Sequence, residues 1–137
     1  MTTTLMLDRP GTGVSEMVRE MYPISLGWEH MDGWLEWACE QGFLGQIWKG
    51  DALVGVAVAR PCHDVQRAAE DYYHYDLTGP ILWVDISCSP LTGGLANLWY
   101  MAILRFGVRE GVAFRRNGGR VRMYDFQRFS KLVAEVG

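Results

Sequence analysis

Ile81-Leu82-Trp83-Val84-Asp85-Ile86-Ser87-Cys88, then Ser89-Pro90-Leu91-Thr92-Gly93-Gly94, then residues 95–106 closed by Gly107, is the stretch that decides the fold. The first eight residues are an apolar strand with one charged member, Asp85. Alternation along a strand puts Leu82, Val84, Ile86 and Cys88 on one face and Ile81, Trp83, Asp85 and Ser87 on the other. Both faces are largely apolar, so a central strand is expected. The glycine-containing turn leads into a helix whose Leu95, Leu98, Trp99, Ala102 and Phe106 recur at spacings of three and four. Ala96, Met101 and Leu104 make its flanks apolar too, which predicts a helix covered on most sides. A strand that enters a glycine turn and then a helix leaves unpaired N–H groups at the helix start, where a phosphate can bind.

Outward from this unit, residues 2–8 read as a short first strand or a frayed terminus. Val14, Met17, Val18 and Met21 mark a helix that Pro23 ends. A second helix is expected over residues 29–41, with Met31, Trp34, Leu35 and Ala38 inward, Trp28 and Trp37 at its edges, and Gly42 as its stop. Residues 44–49 and 53–60 read as a hairpin around Gly50-Asp51, closed by Pro61. Between Cys62 and Pro80, Val65, Ala68, Ala69 and Tyr72 suit a short helix, followed by Tyr72-Tyr73-His74-Tyr75. Beyond residue 107, a second hairpin (112–116 and 120–124) turns at Asn117-Gly118-Gly119. A last helix over 126–136 turns Phe129, Leu132 and Val133 inward.

At 137 residues the chain suits one domain. Hydrophobic residues make up 49% of it, with six Trp, six Tyr and five Phe, enough bulk to fill a core and to exclude a disordered chain. Cys39, Cys62 and Cys88 form no paired spacing, which favours reduced thiols and a cytoplasmic location. No N-terminal basic-then-apolar segment suggests a signal peptide, and no stretch approaches the length of a membrane span. The net charge is −3, unevenly distributed: residues 1–104 carry 13 acids and 5 bases, residues 105–137 carry 3 acids and 8 bases.

The predicted order is a strand, two helices, a hairpin, a small helix, a strand, a helix, a hairpin and a helix. It resembles the GNAT superfamily of acyl-CoA N-acyltransferases over residues 1–107. Residues 51–58 look like that family's third strand, and Leu91-Thr92-Gly93-Gly94-Leu95-Ala96 stands where its pyrophosphate loop belongs. Of the family pattern Gln/Arg-x-x-Gly-x-Gly/Ala, Gly94 and Ala96 match, while Leu91 replaces the polar first residue. The order after residue 107 also departs, since the family has a strand, a helix and two strands there. The resemblance implies an α/β fold with a mixed, mainly antiparallel sheet and helices on both faces. It implies acetyl-CoA or another acyl-CoA held by Ser87, Cys88, Thr92, Gly93, Gly94, Leu95 and Ala96, and an amine, on a small molecule or a protein, as acceptor. Asp85 becomes the candidate general base and Tyr124 the candidate general acid.

Each candidate has a plainer reading beside it. Asp85 could instead pair with an arginine, because a buried carboxylate needs a partner. Tyr124 could be a packed hairpin tyrosine, and Tyr72, Tyr73, His74 and Tyr75 either wall a substrate site or form a packed lid. Cys88 is a nucleophile or a buried thiol. The histidines and cysteines show no metal-ligand spacing. Arg115, Arg116, Arg120 and Arg122 crowd one hairpin, with Arg105, Arg109, Arg128 and Lys131 near in sequence. They could meet coenzyme A phosphates, offset the acidic part of the molecule, or bind nucleic acid, a reading that a pI near 5.5 disfavours. The alternative to an enzyme is a GNAT-like scaffold acting as a binding or assembly protein through this hairpin. Oligomeric state is left open.

Overall fold

The computed structural model of the protein describes residues 2–5, 13–21, 29–115 and 119–136. The elements are β1 (Thr2–Leu5), α1 (Val14–Met21), α2 (Met31–Gln41), β2 (Leu44–Lys49), β3 (Ala52–Cys62), α3 (Val65–Glu70), β4 (Ile81–Cys88), α4 (Gly94–Phe106), β5 (Gly111–Arg115), β6 (Val121–Asp125) and α5 (Phe126–Val136). They keep the expected order, although residues 6–8, Pro23, Trp28 and residues 116–118 of the predicted segments lie outside the described residues. The strands form one six-stranded sheet in the order β1-β2-β3-β4-β5-β6. All neighbours are antiparallel except β4 and β5, which are parallel and joined by α4.

Helices cover both faces. On one, Val14 and Val18 of α1 and Met31, Trp34, Leu35 and Ala38 of α2 pack on Val56, Val58, Ile86 and Cys88. The same face continues under α3, where Ala68 and Ala69 meet Cys62, Ile81 and Trp83. On the other, Leu82 and Val112 lie under Trp99 of α4 and Phe126 of α5. Gly42 ends α2 in the left-handed conformation, its N–H bonded back to Ala38 and Cys39 carbonyls. Arg105 donates to the carbonyls of Gln41 and Gly42 at that helix end, where a cation is favoured.

Strict alternation along β4 fails. The β3–β4 register steps from Val58↔Ile86 to Ala59↔Val84, leaving Asp85 as an extra residue in a bulge. One extra residue reverses the facing of every side chain beyond it. Leu82 therefore packs under α4 and α5, whereas Ile86 and Cys88 face α1 and α2. Two helix expectations also need correction. Leu104 is 88% exposed and Tyr100 66%, so α4 buries one stripe and leaves the opposite face to solvent. In α5, Leu132 is 38% exposed; the inward residues are Phe126, Phe129 and Val133.

The connection between β3 and β4 is held down from inside. Arg60, with no exposed surface, donates through Nε and Nη2 to both carboxylate oxygens of Asp85, each at 2.8 Å. Its Nη1 donates to the carbonyls of Asp71 and His74 at 2.7 Å, and Nη2 also to Ala68 at 2.8 Å. All five N–H donors of the guanidinium are thereby used. Gly79 brings the end of this connection against the backbone of Cys62, where a β-carbon would overlap it. Arg109 fixes the same end by donating to Leu77 and Gly79 carbonyls.

Candidate functional site

The parallel pairing of β4 and β5 runs from Ile81↔Gly111 to Val84↔Phe114. Beyond Val84, β4 continues four residues to Cys88 without a paired position on β5. This divergence opens a cleft of about 550 Å³. Ala57 and Ala59 of β3 form its floor, Leu95, Leu98, Trp99 and Ala102 of α4 one wall, and Phe114, Phe129 and Val133 the other. Met21, from the opposite face, also reaches it. Small residues on β3 leave the space that larger side chains would fill.

Ser89 organises the turn at the cleft mouth. The β2–β3 register skips Val54, and the freed Val54 carbonyl accepts the Ser89 hydroxyl at 2.5 Å. Ser89 Oγ in turn accepts the Leu91 N–H at 3.2 Å. Gly93 takes a positive φ of 80° as the helix cap, which glycine adopts without strain. Gly94 sits hard against Ser89, and a β-carbon there would collide with its side chain. The Asn97 N–H is the one bonded back to Gly93, so the amides of Leu95 and Ala96 precede the helical ladder and face outward from the helix start.

Of the expected cofactor residues, Ser87, Cys88 and Leu95 line the cleft. Thr92, Gly93, Gly94 and Ala96 lie on the adjoining turn and first helical turn. Asp85 borders the cleft, but its side chain is 4% exposed and bound by Arg60. Its Oδ1 also accepts the Trp83 indole N–H at 3.1 Å. Burial pushes the Asp85 carboxyl above the ordinary carboxylate range, against the Arg60 bonds, which favour the ionised form. Tyr124 stacks on Phe114, 5.7 Å between centroids and 11° between planes, and touches Phe129. It thus stands behind the cleft wall.

The other candidates are dispersed. Tyr72 packs edge-on against Trp34, and Tyr73 and Tyr75 surround Trp37; the aromatic run forms a lid over α2. Among the described residues no group of His, Cys, Asp and Glu is placed to hold a metal ion. Cys39, Cys62 and Cys88 are buried and form no disulfide among the described residues. Burial pushes the thiols of Cys62 and Cys88 from the ordinary 9.0 up to about 11, which leaves Cys88 protonated and weakly nucleophilic at neutral pH. Because the raised value favours the neutral thiol in the folded state, the associated stability is present below pH 9 and lost as pH climbs towards 11. Denaturant titrations should accordingly give a lower unfolding free energy at about pH 10 than at about pH 8, with both thiols unreactive towards an aromatic disulfide in the native protein at neutral pH.

In the basic segment, Arg105 and Arg109 are committed to main-chain carbonyls, while Arg115 lines the cleft and Arg120 and Arg122 are exposed. Sequence reasoning missed Arg60. Its signal was a lone arginine in an apolar strand, beside a strand whose single charge is an aspartate.

A six-stranded sheet whose parallel β4 and β5 diverge beside the start of α4 gives the chain a GNAT-like fold. Solved structures agree. The chain is similar to the loading GNATL domain of CurA from Lyngbya majuscula, with a TM-score of 0.53 and 13% identity over 84% of this chain and 64% of that one. It thus spans less than two thirds of the CurA domain. It is also similar to a "putative acetyltransferase" from Staphylococcus aureus Mu50, with a TM-score of 0.52 and 12% identity over 94% of this chain and 88% of that one. No family model matches the sequence, and no curated protein does. Among the described residues, no helix is long and apolar enough to cross a membrane.

Proposed function

We propose that the protein binds an acyl-CoA in the cleft between β4 and β5 and transfers its acyl group to an amine. The observation that carries this reading is the divergence after Val84↔Phe114: it leaves the edge of β4 over residues 85–88 facing a cleft that ends at the start of a helix. An extended chain bearing amides can pair with such an edge as an added strand would. The amides of Leu95 and Ala96, with the helix dipole behind them, suit a pyrophosphate, and Arg115 is the cation among the described lining residues. The residues present therefore fit coenzyme A, despite an apolar side chain at Leu91.

When bound, an acyl-CoA supplies an activated thioester: a C–N bond forms to the amine, the C–S bond breaks, and the proton lost by nitrogen ends on sulfur. This chain's residues position and desolvate. Asp85 is the single carboxylate among the described lining residues, and no histidine is among them; with both oxygens held by Arg60, Asp85 keeps the bulge and the β3–β4 connection in place. Tyr124 supports the wall through Phe114 and Phe129. The mostly apolar lining disfavours an ammonium and so favours the neutral, nucleophilic amine. Calorimetric titration with coenzyme A and acetyl-CoA tests the reading. Saturable one-to-one binding is expected, and absence of heat for either ligand up to millimolar concentration would sink it.

A further inference from the structure

The cleft is graded along its length. Its mouth carries Ser87, Ser89 and Arg115 beside the start of α4; its inner end is bounded by Val84, Trp99, Ala102, Phe114, Phe129 and Val133. From Leu95 to Ala102 the wall advances seven residues along α4, about 10 Å at 1.5 Å per residue. Among the described residues that bound the inner end, no side chain has a donor or acceptor left for a polar guest. The Trp99 indole N–H is committed to Ser130 Oγ at 2.9 Å, and Ser130 donates to the Phe126 carbonyl at 3.0 Å. Amides or phosphates placed there would lose their water without replacement. An acetyl group, with one methyl, would leave most of this apolar surface uncovered.

We propose that the inner end takes the alkyl chain of a medium-length fatty acyl thioester, so that the group transferred is a medium-chain acyl group rather than acetyl. This inference rests on the acyl-CoA reading above and names its substrate class. The transfer is the same reaction with a longer alkyl group: one C–N bond forms, one C–S bond breaks, and the nitrogen proton passes to sulfur. Chain carbons buried against Trp99, Phe114 and Phe129 provide the added affinity through the hydrophobic effect.

The test is a binding series on the full chain with coenzyme A and its acetyl, butyryl, hexanoyl and octanoyl thioesters. Below their micellar concentrations, affinity is expected to rise about tenfold for each two-carbon extension while the inner end fills. Ala102→Phe and, separately, Val133→Phe fill that end from two different helices. Each should collapse the ratio of octanoyl to coenzyme A affinity towards that of acetyl. Two independent variants keep the test decisive if one fails to fold. Coenzyme A binding with no dependence on chain length overturns this inference and leaves the acyl-CoA reading standing. A chain-length gain that survives both variants overturns it as surface adsorption. No binding of coenzyme A or any thioester removes both.

Discussion

Replacing Arg60 by methionine is expected to destabilise the protein by about 3–5 kcal/mol, the cost of leaving a buried charge without its partner. At this chain length that corresponds to a melting temperature lower by roughly 10–20 °C. Methionine keeps the unbranched apolar stem but is shorter and supplies no donor. It removes the arginine donors from both oxygens of Asp85 and from the carbonyls of Ala68, Asp71 and His74, leaving Oδ1 the Trp83 N–H and the Asp71 carbonyl the His74 N–H. Asp85→Asn in the same chain removes the stranded charge and should recover part of the loss. The effect also has a pH signature. Without Arg60, only the Trp83 N–H is left to oppose burial at Asp85, so its folded pKa rises further above its unfolded value. The protonated variant is then the stable one: its stability is fully present below the unfolded pKa and falls as pH rises through the folded one. The gap between native protein and variant should therefore be narrower at about pH 4 than at about pH 7. A gap independent of pH, or a variant as stable as the native chain, would show that Arg60 and Asp85 are not coupled in this way.

Ala96→Glu is expected to weaken coenzyme A binding by about a hundredfold while leaving the fold intact. Ala96 is the third residue of α4 after the Gly93 cap, a position where glutamate favours the helix by about 0.3–1 kcal/mol through the dipole. The same carboxylate would stand beside the proposed pyrophosphate, where like charges oppose each other by about 2–3 kcal/mol. Stability and binding thus move in opposite directions, which separates loss of the site from loss of the fold. Substitution at Gly94 would not separate them, because any β-carbon there meets Ser89. Calorimetry paired with thermal melting reads both quantities. Undiminished binding in a well-folded Ala96→Glu protein would move the phosphates away from the start of α4.

The element order was legible because its signals are local. The hairpin of β2 and β3, the glycine stop at Gly42, the turn into α4 and the final hairpin and helix are all written within a few neighbouring residues. What escaped depends on pairing across the sheet. The bulge at Asp85 is set by the register against β3, and no count along β4 could show that Ile86 and Cys88 turn away from Leu82. Arg60 reads as the charged end of a strand until Asp85 and the carbonyls of the β3–β4 connection are brought around it. Leu104 and Leu132 continue apolar patterns yet lie in solvent, because each helix meets the sheet along a single stripe. The site was legible in part: the turn 89–94 announced itself by glycine and proline, but the cleft exists because β4 runs on past its last pairing with β5 at Val84↔Phe114, a relation between strands far apart in sequence. Tyr124 and the tyrosines after α3 were visible as aromatic residues, and their partners, Phe114, Phe129, Trp34 and Trp37, were not.

If the divergence of β4 from β5 and the start of α4 form one binding site for coenzyme A, the ligand must perturb both at once. Backbone amide chemical shifts recorded while coenzyme A is added test this most directly. Saturable shifts are expected at Ser87, Leu95 and Ala96, with smaller changes at Ala57 and Arg115 and none on the outer face of α2. Shifts confined to the exposed basic strand around Arg120 and Arg122, or no shifts at saturating concentrations, would contradict a single coenzyme A site in this cleft.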